Sequence, residues 1–167
     1  MRIVTALFLA AFAGCALTYS IAQGTPTAML RFTANTESAG FTMPCSKDVR
    51  LVKHGTVGNP WLEEQSELKM YGSREDKNGE VIERLISADR ELAFFIGGGK
   101  RKEDGKRYGC SLAISFVPRA GEQYEANYQW IGDKCTVNVY RLSMGKQEIQ
   151  KSPLKANYFK GRHCPYE

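Results

Sequence analysis

The stretch CSLAISFVPRAGEQYEANYQWIGDKCTVNVY, residues 110–140, decides the fold class. It contains three runs in which apolar and polar residues alternate, separated by turns at 118–121 and 132–134. Alternation with a period of two is typical of a β-strand with one buried face. Three such runs in succession leave no room for helices between them. This part of the chain is therefore predicted to form strands only.

Shorter strand candidates precede that stretch. They are apolar or alternating runs bounded by glycine, proline and charged turns, and they lie at residues 28–34, 41–43, 49–52, 81–86 and 92–96. Roughly six to eight strands at this spacing predict an all-β fold, a two-sheet antiparallel sandwich. The glycine-rich stretch 97–105 is expected to be a flexible loop between two of them.

One short helix near residues 60–71 is the most that we expect. Asn59 can cap such a helix, Pro60 suits its first turn, and Gly72 would end it. A tight loop that carries Trp61 is the alternative.

The N-terminal segment has the composition of an export signal. Arg2 is its one charged residue before Arg31, and an apolar run over residues 3–13 follows Arg2. A short positive start followed by such a run is the pattern of a secretory signal peptide.

The end of this segment, Phe-Ala-Gly-Cys at residues 12–15, resembles the lipobox of bacterial lipoproteins, with Phe12 where leucine is commonest. The resemblance implies a signal peptide over residues 1–14 and a diacylglyceryl group on Cys15, which becomes the new N-terminus. Because Ala16 rather than aspartate follows, it also implies an outer-membrane lipoprotein that faces the periplasm of a Gram-negative cell.

Two other outcomes of processing stay open. Ordinary signal peptidase could cut after Ala22, which would release a soluble periplasmic or secreted protein that starts at Gln23. Alternatively, the N-terminal segment could stay uncleaved and act as a membrane anchor. For the lipoprotein we expect a tether over residues 15–27 and a single sandwich domain over 28–167.

The cysteine count agrees with export. The chain has five cysteines. Lipidation would occupy Cys15, and cleavage after Ala22 would remove it. Either outcome leaves four, namely Cys45, Cys110, Cys135 and Cys164. An even number in an oxidising compartment predicts disulfides. No CxxC pair occurs, so zinc is a poor alternative.

Residues 116–126 resemble the tyrosine corner of fibronectin type III and other immunoglobulin-like domains, through Phe116, Pro118, Gly121 and Tyr124. The resemblance implies that Tyr124 begins a strand and that its hydroxyl bonds to the backbone just upstream. It also implies that the strands on either side of the corner lie in opposite sheets. A plain hairpin with a buried tyrosine is the alternative.

The two alternatives differ in what Cys110 can reach. In a flat meander, Cys110 and Cys135 flank a middle strand about 10 Å apart, beyond the roughly 7 Å limit for a disulfide. In the corner arrangement they start their strands at one end of the sandwich and can face each other. We therefore favour Cys110–Cys135 with Cys45–Cys164, which would tie down the C-terminal tail. Cys45–Cys110 with Cys135–Cys164 stays open.

The wider pattern over roughly residues 80–142 is similar to small uncharacterised lipoproteins of Gram-negative bacteria. It includes Ile82, Ile86 and Ala88 before an apolar strand, then Gly109-Cys110, the corner residues and Cys135-x-Val137-x-Val139. The resemblance implies an exported immunoglobulin-like or transthyretin-like sandwich, and it supplies no catalytic residue.

No enzyme motif occurs in the chain. Gly97-Gly98-Gly99-Lys100 lacks the spacing of a phosphate loop, and no G-x-S-x-G elbow exists. The two histidines, His54 and His163, are too few for a histidine-rich metal centre. Glu63, Glu64 and Glu67 do not follow a calcium-loop spacing. We therefore expect a non-enzymatic protein with no cofactor and no metal.

Positive charge is concentrated in two segments of a chain whose formal net charge is +5. Lys100, Arg101, Lys102, Lys106 and Arg107, against Glu103 and Asp104, give 5 − 2 = +3 in the first. The second segment holds Lys151, Lys155, Lys160 and Arg162. Basic surfaces attract polyanions, so the first segment is the candidate polyanion site. Ordinary solvated loops are the alternative.

The aromatic residues give a weaker indication of a binding surface than the basic residues do. Tyr128 and Trp130 alternate with polar residues, so we expect them in the core. Tyr158 and Phe159 either contact a partner or pack beneath the tail.

These observations predict a non-enzymatic envelope lipoprotein that binds a protein or an anionic envelope polymer and touches the membrane through its lipid. Nucleic acid is excluded mainly by compartment. The alternatives are an accessory assembly lipoprotein of a secretion or surface system, and a secreted hydrolase inhibitor.

Overall fold

The computed structural model describes residues 21–35, 40–42, 55–56, 68–72, 82–101, 105–146 and 148–159. Within these ranges the chain forms ten strands and no helix. The strands are β1 (Thr27–Ala34), β2 (Gly40–Thr42), β3 (Gly55–Thr56), β4 (Ile82–Ser87), β5 (Leu92–Arg101), β6 (Arg107–Phe116), β7 (Gln123–Ile131), β8 (Lys134–Met144), β9 (Ile149–Leu154) and β10 (Asn157–Phe159).

The ten strands form two five-stranded sheets. The first has the order β4-β1-β7-β8-β9 and the second β10-β6-β5-β2-β3. Every neighbouring pair is antiparallel except β1 and β7, which run parallel. The predicted all-β, two-sheet sandwich is confirmed.

Two predicted elements fall partly or wholly outside the described residues. Residues 68–71 are irregular, so the helix expected near 60–71 does not include its last four residues. Its beginning, and the strand expected at 49–52, lie outside the described residues.

The core lies between the sheets and is built mainly from alternate residues of the longer strands. Leu30 and Phe32 of β1 are fully buried, as are Tyr128 of β7 and Phe94 of β5. The ring of Phe32 meets that of Phe94 edge to face, with centroids 5.1 Å apart. Trp130 is also buried. The expectation that Tyr128 and Trp130 are core residues is confirmed.

The corner between β6 and β7 moves the chain from one sheet to the other. The Tyr124 hydroxyl accepts a hydrogen bond from the Arg119 backbone N–H (2.9 Å) and donates one to Glu122 Oε2 (2.6 Å). Gly121 turns the chain with a φ of 76°, in the left-handed region that glycine adopts without strain. The tyrosine-corner prediction is confirmed, and the plain hairpin is wrong because β6 and β7 lie in different sheets.

A disulfide joins Cys110 of β6 to Cys135 of β8, with the Cα atoms 6.1 Å apart. This pairing is the predicted one. It contradicts the alternative in which Cys45 pairs with Cys110. Cys45 and Cys164 themselves lie outside the described residues.

The flexible loop expected at residues 97–105 is wrong for most of its length. Strand β5 continues through the three glycines to Arg101, and β6 begins at Arg107. The strands approach closely here, since a Cβ on Gly97 would lie 2.7 Å from Ser111 Cβ and 2.9 Å from Cys110 O. The three glycines are therefore strand residues, and Gly97 is the one that permits a close contact with β6.

The C-terminal part of the described chain forms two strands that the sequence did not reveal, one in each sheet. In β10, the Tyr158 hydroxyl donates a hydrogen bond to Val137 O of the opposite sheet (2.6 Å). The ring of Phe159 packs against that of Phe95, with centroids 5.6 Å apart. Both side chains are thus held by contacts within the sandwich, although 59% of Tyr158 is exposed.

The sandwich has two distinct ends. We name one the tether pole, after the tether predicted to precede β1, and the other the arm pole, after the extension of β5 and β6 that is described below. At the tether pole, where β1 begins, the Gly121 N–H donates to Thr27 O (2.8 Å). At the arm pole, the Cys110–Cys135 disulfide joins the two sheets. Strand β7 runs from one pole to the other in nine residues, which corresponds to about 30 Å.

Candidate functional site

Strands β5 and β6 continue past the disulfide as a two-stranded structure, which we call the basic arm (residues 98–101 and 105–110). Its register pairs Gly98 with Cys110, Gly99 with Gly109, Lys100 with Tyr108, and Arg101 with Arg107. Ile96 is buried, whereas Gly99, Tyr108 and Gly109 are exposed. The arm therefore leaves the core at the arm pole.

The base of the arm is held to the other sheet in two ways. The disulfide joins Cys110 to Cys135, and the Tyr128 hydroxyl donates a hydrogen bond to Cys110 O (2.8 Å). Burial raises the pKa of the Tyr128 hydroxyl, so this hydroxyl keeps its proton well above neutral pH. Both contacts converge on one residue of β6 and fix where the arm starts.

The arm brings predicted polyanion-site residues together. Arg101 and Arg107 stand directly opposite each other, and Lys100 occupies the neighbouring position on β5. Lys106 is exposed just before β6. Like charges at directly opposite positions of an antiparallel pair destabilise it. Lys102, with Glu103 and Asp104, lies outside the described residues.

The β7–β8 hairpin lies at the same pole as the arm. Ile131 pairs with Lys134 across its turn, and Trp130 pairs with the disulfide residue Cys135. Ile131 is 71% exposed, the largest exposure among the large hydrophobic residues of the described chain. An apolar tip therefore lies at the end of the molecule that carries the basic arm.

A second group of charged residues, which sequence reasoning missed, lies on the outer face of the first sheet. Arg31 of β1 donates from Nε and Nη2 to Glu83 Oε1 of β4 (3.1 and 2.8 Å). Glu125 Oε2 lies 3.8 Å from Arg31 Nη1, and Lys151 Nζ donates to Glu125 Oε1 (2.6 Å). The two cations and two carboxylates of this group have a net charge of zero. Arg31, Glu83 and Glu125 are each less than 5% exposed.

These charges hold an irregular crossing segment, residues 68–72, against the sheet. The Leu68 N–H donates to Glu83 Oε2 (3.2 Å), and Tyr71 O accepts from Arg31 Nη1 (2.9 Å). The Tyr71 N–H donates to Gln123 Oε1 (2.6 Å). The cluster is thus a paired structural clamp with no unpaired reactive group.

The clamp also changes the interpretation of the second basic segment. Lys151 is one of its cations, and its ammonium group is already paired with Glu125. Lys155 is exposed, whereas Lys160 and Arg162 lie outside the described residues. The basic arm therefore remains the better candidate for an anion site.

The other predicted site residues cannot be placed. Cys15, Cys45 and Cys164 lie outside the described residues, as do both histidines and Glu63, Glu64 and Glu67. Within the described ranges, no three His, Cys, Asp or Glu side chains are grouped so that they could hold a metal ion. No helix in the same ranges is long and apolar enough to cross a membrane.

No protein-family model, curated protein or solved structure matches this chain. The similarity to Gram-negative lipoproteins therefore stays a prediction from the sequence.

Proposed function

We propose that this protein is a non-enzymatic, exported envelope lipoprotein that binds envelope polyanions through the basic arm. The observation that carries the proposal is the register that sets Arg101 opposite Arg107 beside Lys100. Like charges at facing positions destabilise a strand pair, and an anionic ligand would lower that cost. In the sequence, residues 100–107 have a net charge of +3, from five cations and two acids.

Export is supported by the chemistry of the described cysteines. The Cys110–Cys135 disulfide persists in an oxidising compartment such as the periplasm and would be reduced in the cytosol. Together with the N-terminal pattern, this favours a protein that is translocated and then anchored through Cys15.

The two poles suggest how an anchored protein would be oriented. A tether over residues 15–27 would reach the sandwich at Thr27, at the tether pole, and would extend about 40 Å at most. The basic arm lies at the opposite end of the sandwich. The arm is then free to bind polyanions away from the point of attachment.

Calorimetric titration with inorganic polyphosphate would test the polyanion proposal. Each cation near an anionic surface contributes about 1 kcal/mol. Replacing Arg101 and Arg107 by glutamine should therefore weaken binding by about thirtyfold. The matched control replaces two exposed cations outside the arm, Lys146 and Lys155, by glutamine and should change affinity by less than about threefold.

Two results would contradict the proposal. Equal losses in the two double variants would mean that general basicity, not the arm, attracts the polymer. The absence of any polyphosphate binding by the unaltered protein would remove the polyanion function altogether.

The anchor is tested separately by the intact mass of the protein from membrane and soluble fractions. A membrane species that starts at Cys15 and carries acyl mass would support the lipoprotein. A soluble species that starts at Gln23 would refute the anchor but leave the arm's binding function intact. The accessory-assembly and inhibitor alternatives stay predictions, because no described feature favours either.

A further inference from the structure

Strand β9 is an exposed edge of the first sheet, and we infer that Pro153 keeps this edge from pairing with β9 of a second copy of the chain. An unpaired strand edge presents a row of backbone N–H and C=O groups to which another strand can add. This edge lies outside the basic arm, so the inference does not depend on the proposed function.

The β9 edge is open to solvent along most of its length. The strand ends the described sheet, with β8 as its neighbour. It is six residues long, which corresponds to about 20 Å. The four middle residues, 150–153, are all exposed. This length of edge is therefore accessible to another chain.

The hairpin between β8 and β9 fixes which backbone groups face the edge. Across its turn the Gly145 N–H donates to Glu148 O (2.8 Å), and the register continues without a break along β9. In an antiparallel pair, residues bonded to the neighbouring strand alternate with residues whose N–H and C=O point away from it. Counted from Glu148, the backbone groups of residues 149, 151 and 153 point away from β8.

A proline stands at one of these three outward positions. Pro153 has no N–H, so it removes one of the outward donors, and its ring lies where that hydrogen would point. Proline within a sheet is confined to positions of this kind, on an edge strand with the missing N–H turned towards solvent. The orientation deduced from the hairpin and the chemistry of proline are thus consistent.

Lys151, at the middle outward position, does not protect the edge by its charge. Lysine on an edge strand commonly keeps other strands away. Here the ammonium group is drawn over the outer face of the sheet, where it donates to Glu125 Oε1 (2.6 Å). Because a buried carboxylate already neutralises this charge, Pro153 remains as the residue that blocks the edge.

A second copy fits this edge when its β9 lies antiparallel about a twofold axis. A register centred on Lys151 sets Pro153 of each copy opposite Ile149 of the other. Two ordinary residues at such facing positions would exchange two hydrogen bonds. Pro153 lacks one of the donors, and its ring faces the carbonyl of Ile149. The pairing therefore loses a hydrogen bond at each end and meets a steric conflict there.

The other end of the described first sheet, strand β4, carries a different feature that acts in the same direction. Arg84 stands between Ile82 and Ile86, which are both buried in the core, so a charged residue occupies a core-facing position. Its Nη1 donates to the backbone carbonyl of Glu83 (3.0 Å). Inward-pointing charges are another feature that limits the addition of strands to a sheet edge.

Sedimentation velocity of the full chain over a range of concentrations tests the role of Pro153. All samples carry Cys15→Ser, so that no acyl group contributes to association. Pro153→Thr restores the N–H and adds a side chain that suits strands. The matched control is Ser152→Thr, which adds the same side chain at the neighbouring exposed position, where the N–H already faces β8. Thermal unfolding checks that each variant stays folded.

We expect Pro153→Thr to strengthen self-association by about tenfold to a hundredfold, which corresponds to two restored hydrogen bonds in a symmetric dimer. Ser152→Thr should sediment as the unaltered protein does. Equal association of the two variants, whether weak or strong, would overturn the inference, because the restored N–H would then have no effect.

Hydrogen exchange locates the contact. In the unaltered protein, the amides of Ile149 and Lys151 should exchange faster than those of Gln150 and Ser152, which face β8. Uniform protection along β9 would overturn the inference, since the edge would then be paired already. In Pro153→Thr, the Ile149 and Lys151 amides should gain protection as the concentration rises. A dimer that leaves both amides unprotected would use another surface and would overturn the inference as well.

Discussion

Replacing Glu83 by alanine should destabilise the protein more than the loss of any exposed charge. Glu83 is 2% exposed. Its two oxygens accept three hydrogen bonds, two from Arg31 and one from the Leu68 N–H, at 2.8 to 3.2 Å. The substitution removes all three and leaves the buried guanidinium of Arg31 without its closest countercharge.

The size of the effect follows from this burial. Removal of one partner of a buried ion pair costs about 3–5 kcal/mol, because the remaining charge is desolvated and uncompensated. The second carboxylate cannot replace Glu83, since Glu125 Oε2 lies 3.8 Å from Arg31 Nη1 and Glu125 Oε1 already accepts from Lys151. A loss of 3–5 kcal/mol is a large part of the roughly 5–15 kcal/mol that stabilises a typical domain.

Urea unfolding of the unaltered protein and the variant measures the difference. Arg141→Ala is the matched control. It breaks a pair with Glu122 whose side chains are 44% and 29% exposed, and such pairs contribute about 0–1 kcal/mol. Glu83→Gln is the second variant, because it keeps the shape and most hydrogen-bonding capacity. It should cost less than alanine, about 1.5–3 kcal/mol.

Hydrogen exchange localises the effect. The backbone amides of Leu68 and Tyr71 should lose protection first, because the clamp holds the crossing segment through them. A Glu83→Ala variant no less stable than Arg141→Ala would refute the view that buried charges hold this segment. Unchanged protection of both amides in a destabilised variant would place the lost stability elsewhere.

Three further predictions concern the arm and the corner. Gly97→Ala should lower the free energy of unfolding by about 1–3 kcal/mol, because the new Cβ would lie 2.7 Å from a side-chain carbon of the facing strand. Gly99→Ala is the control, since the nearest atom to its Cβ would be 3.5 Å away. Equal urea midpoints of the two variants would contradict the close approach at Gly97. Replacing Cys110 and Cys135 by serine should cost about 3–4 kcal/mol in the chain-entropy model for their sequence separation of 25, and an unaltered urea midpoint would contradict this. Burial raises the pKa of Tyr124 from 10.0 to about 12. Between these pH values the unfolded chain binds fewer protons than the folded one, so the free energy of unfolding falls as pH rises. Urea unfolding across this pH range should show a flatter decline for Tyr124→Phe, and an unchanged slope would count against the pKa shift.

The sequence predicted most clearly the parts of the fold where apolar and polar side chains alternate. Residues 110–116 and 124–130 have apolar side chains on one face, and the corner between them carries a recognisable spacing. This was enough to predict that the strands change sheets, and from that the Cys110–Cys135 pairing. Strand β9, in contrast, is Ile-Gln-Lys-Ser-Pro-Leu, with four exposed residues between its ends. An edge strand with little buried side-chain surface leaves no period for sequence analysis to detect.

The sequence predicted the charge of the candidate site but not its strand structure. The concentration of cations at residues 100–107 is visible in the sequence, but glycines at 97–99 favour a loop when read alone. Their strand geometry depends on the facing strand, where Ser111 and Cys110 O would contact a Cβ at Gly97. The buried pair of Arg31 and Glu83 was missed because a charged residue at an outward position of a strand is normally solvated. The crossing segment contacts both side chains through Tyr71 O and the Leu68 N–H.

The arrangement of the stabilising contacts separates the basic arm from the rest of the sandwich. The tyrosine corner fixes the tether pole, and the clamp fixes the outer face of the first sheet, so neither depends on the arm. At the arm pole, the disulfide and the Tyr128 hydroxyl both hold Cys110, which is where the arm begins. An anion bound to the arm would therefore act beyond Cys110 and leave the sandwich unchanged. If this reasoning is right, anionic ligand should protect the arm amides against hydrogen exchange and leave those of the crossing segment unchanged; equal protection of both would mean that binding stabilises the whole fold.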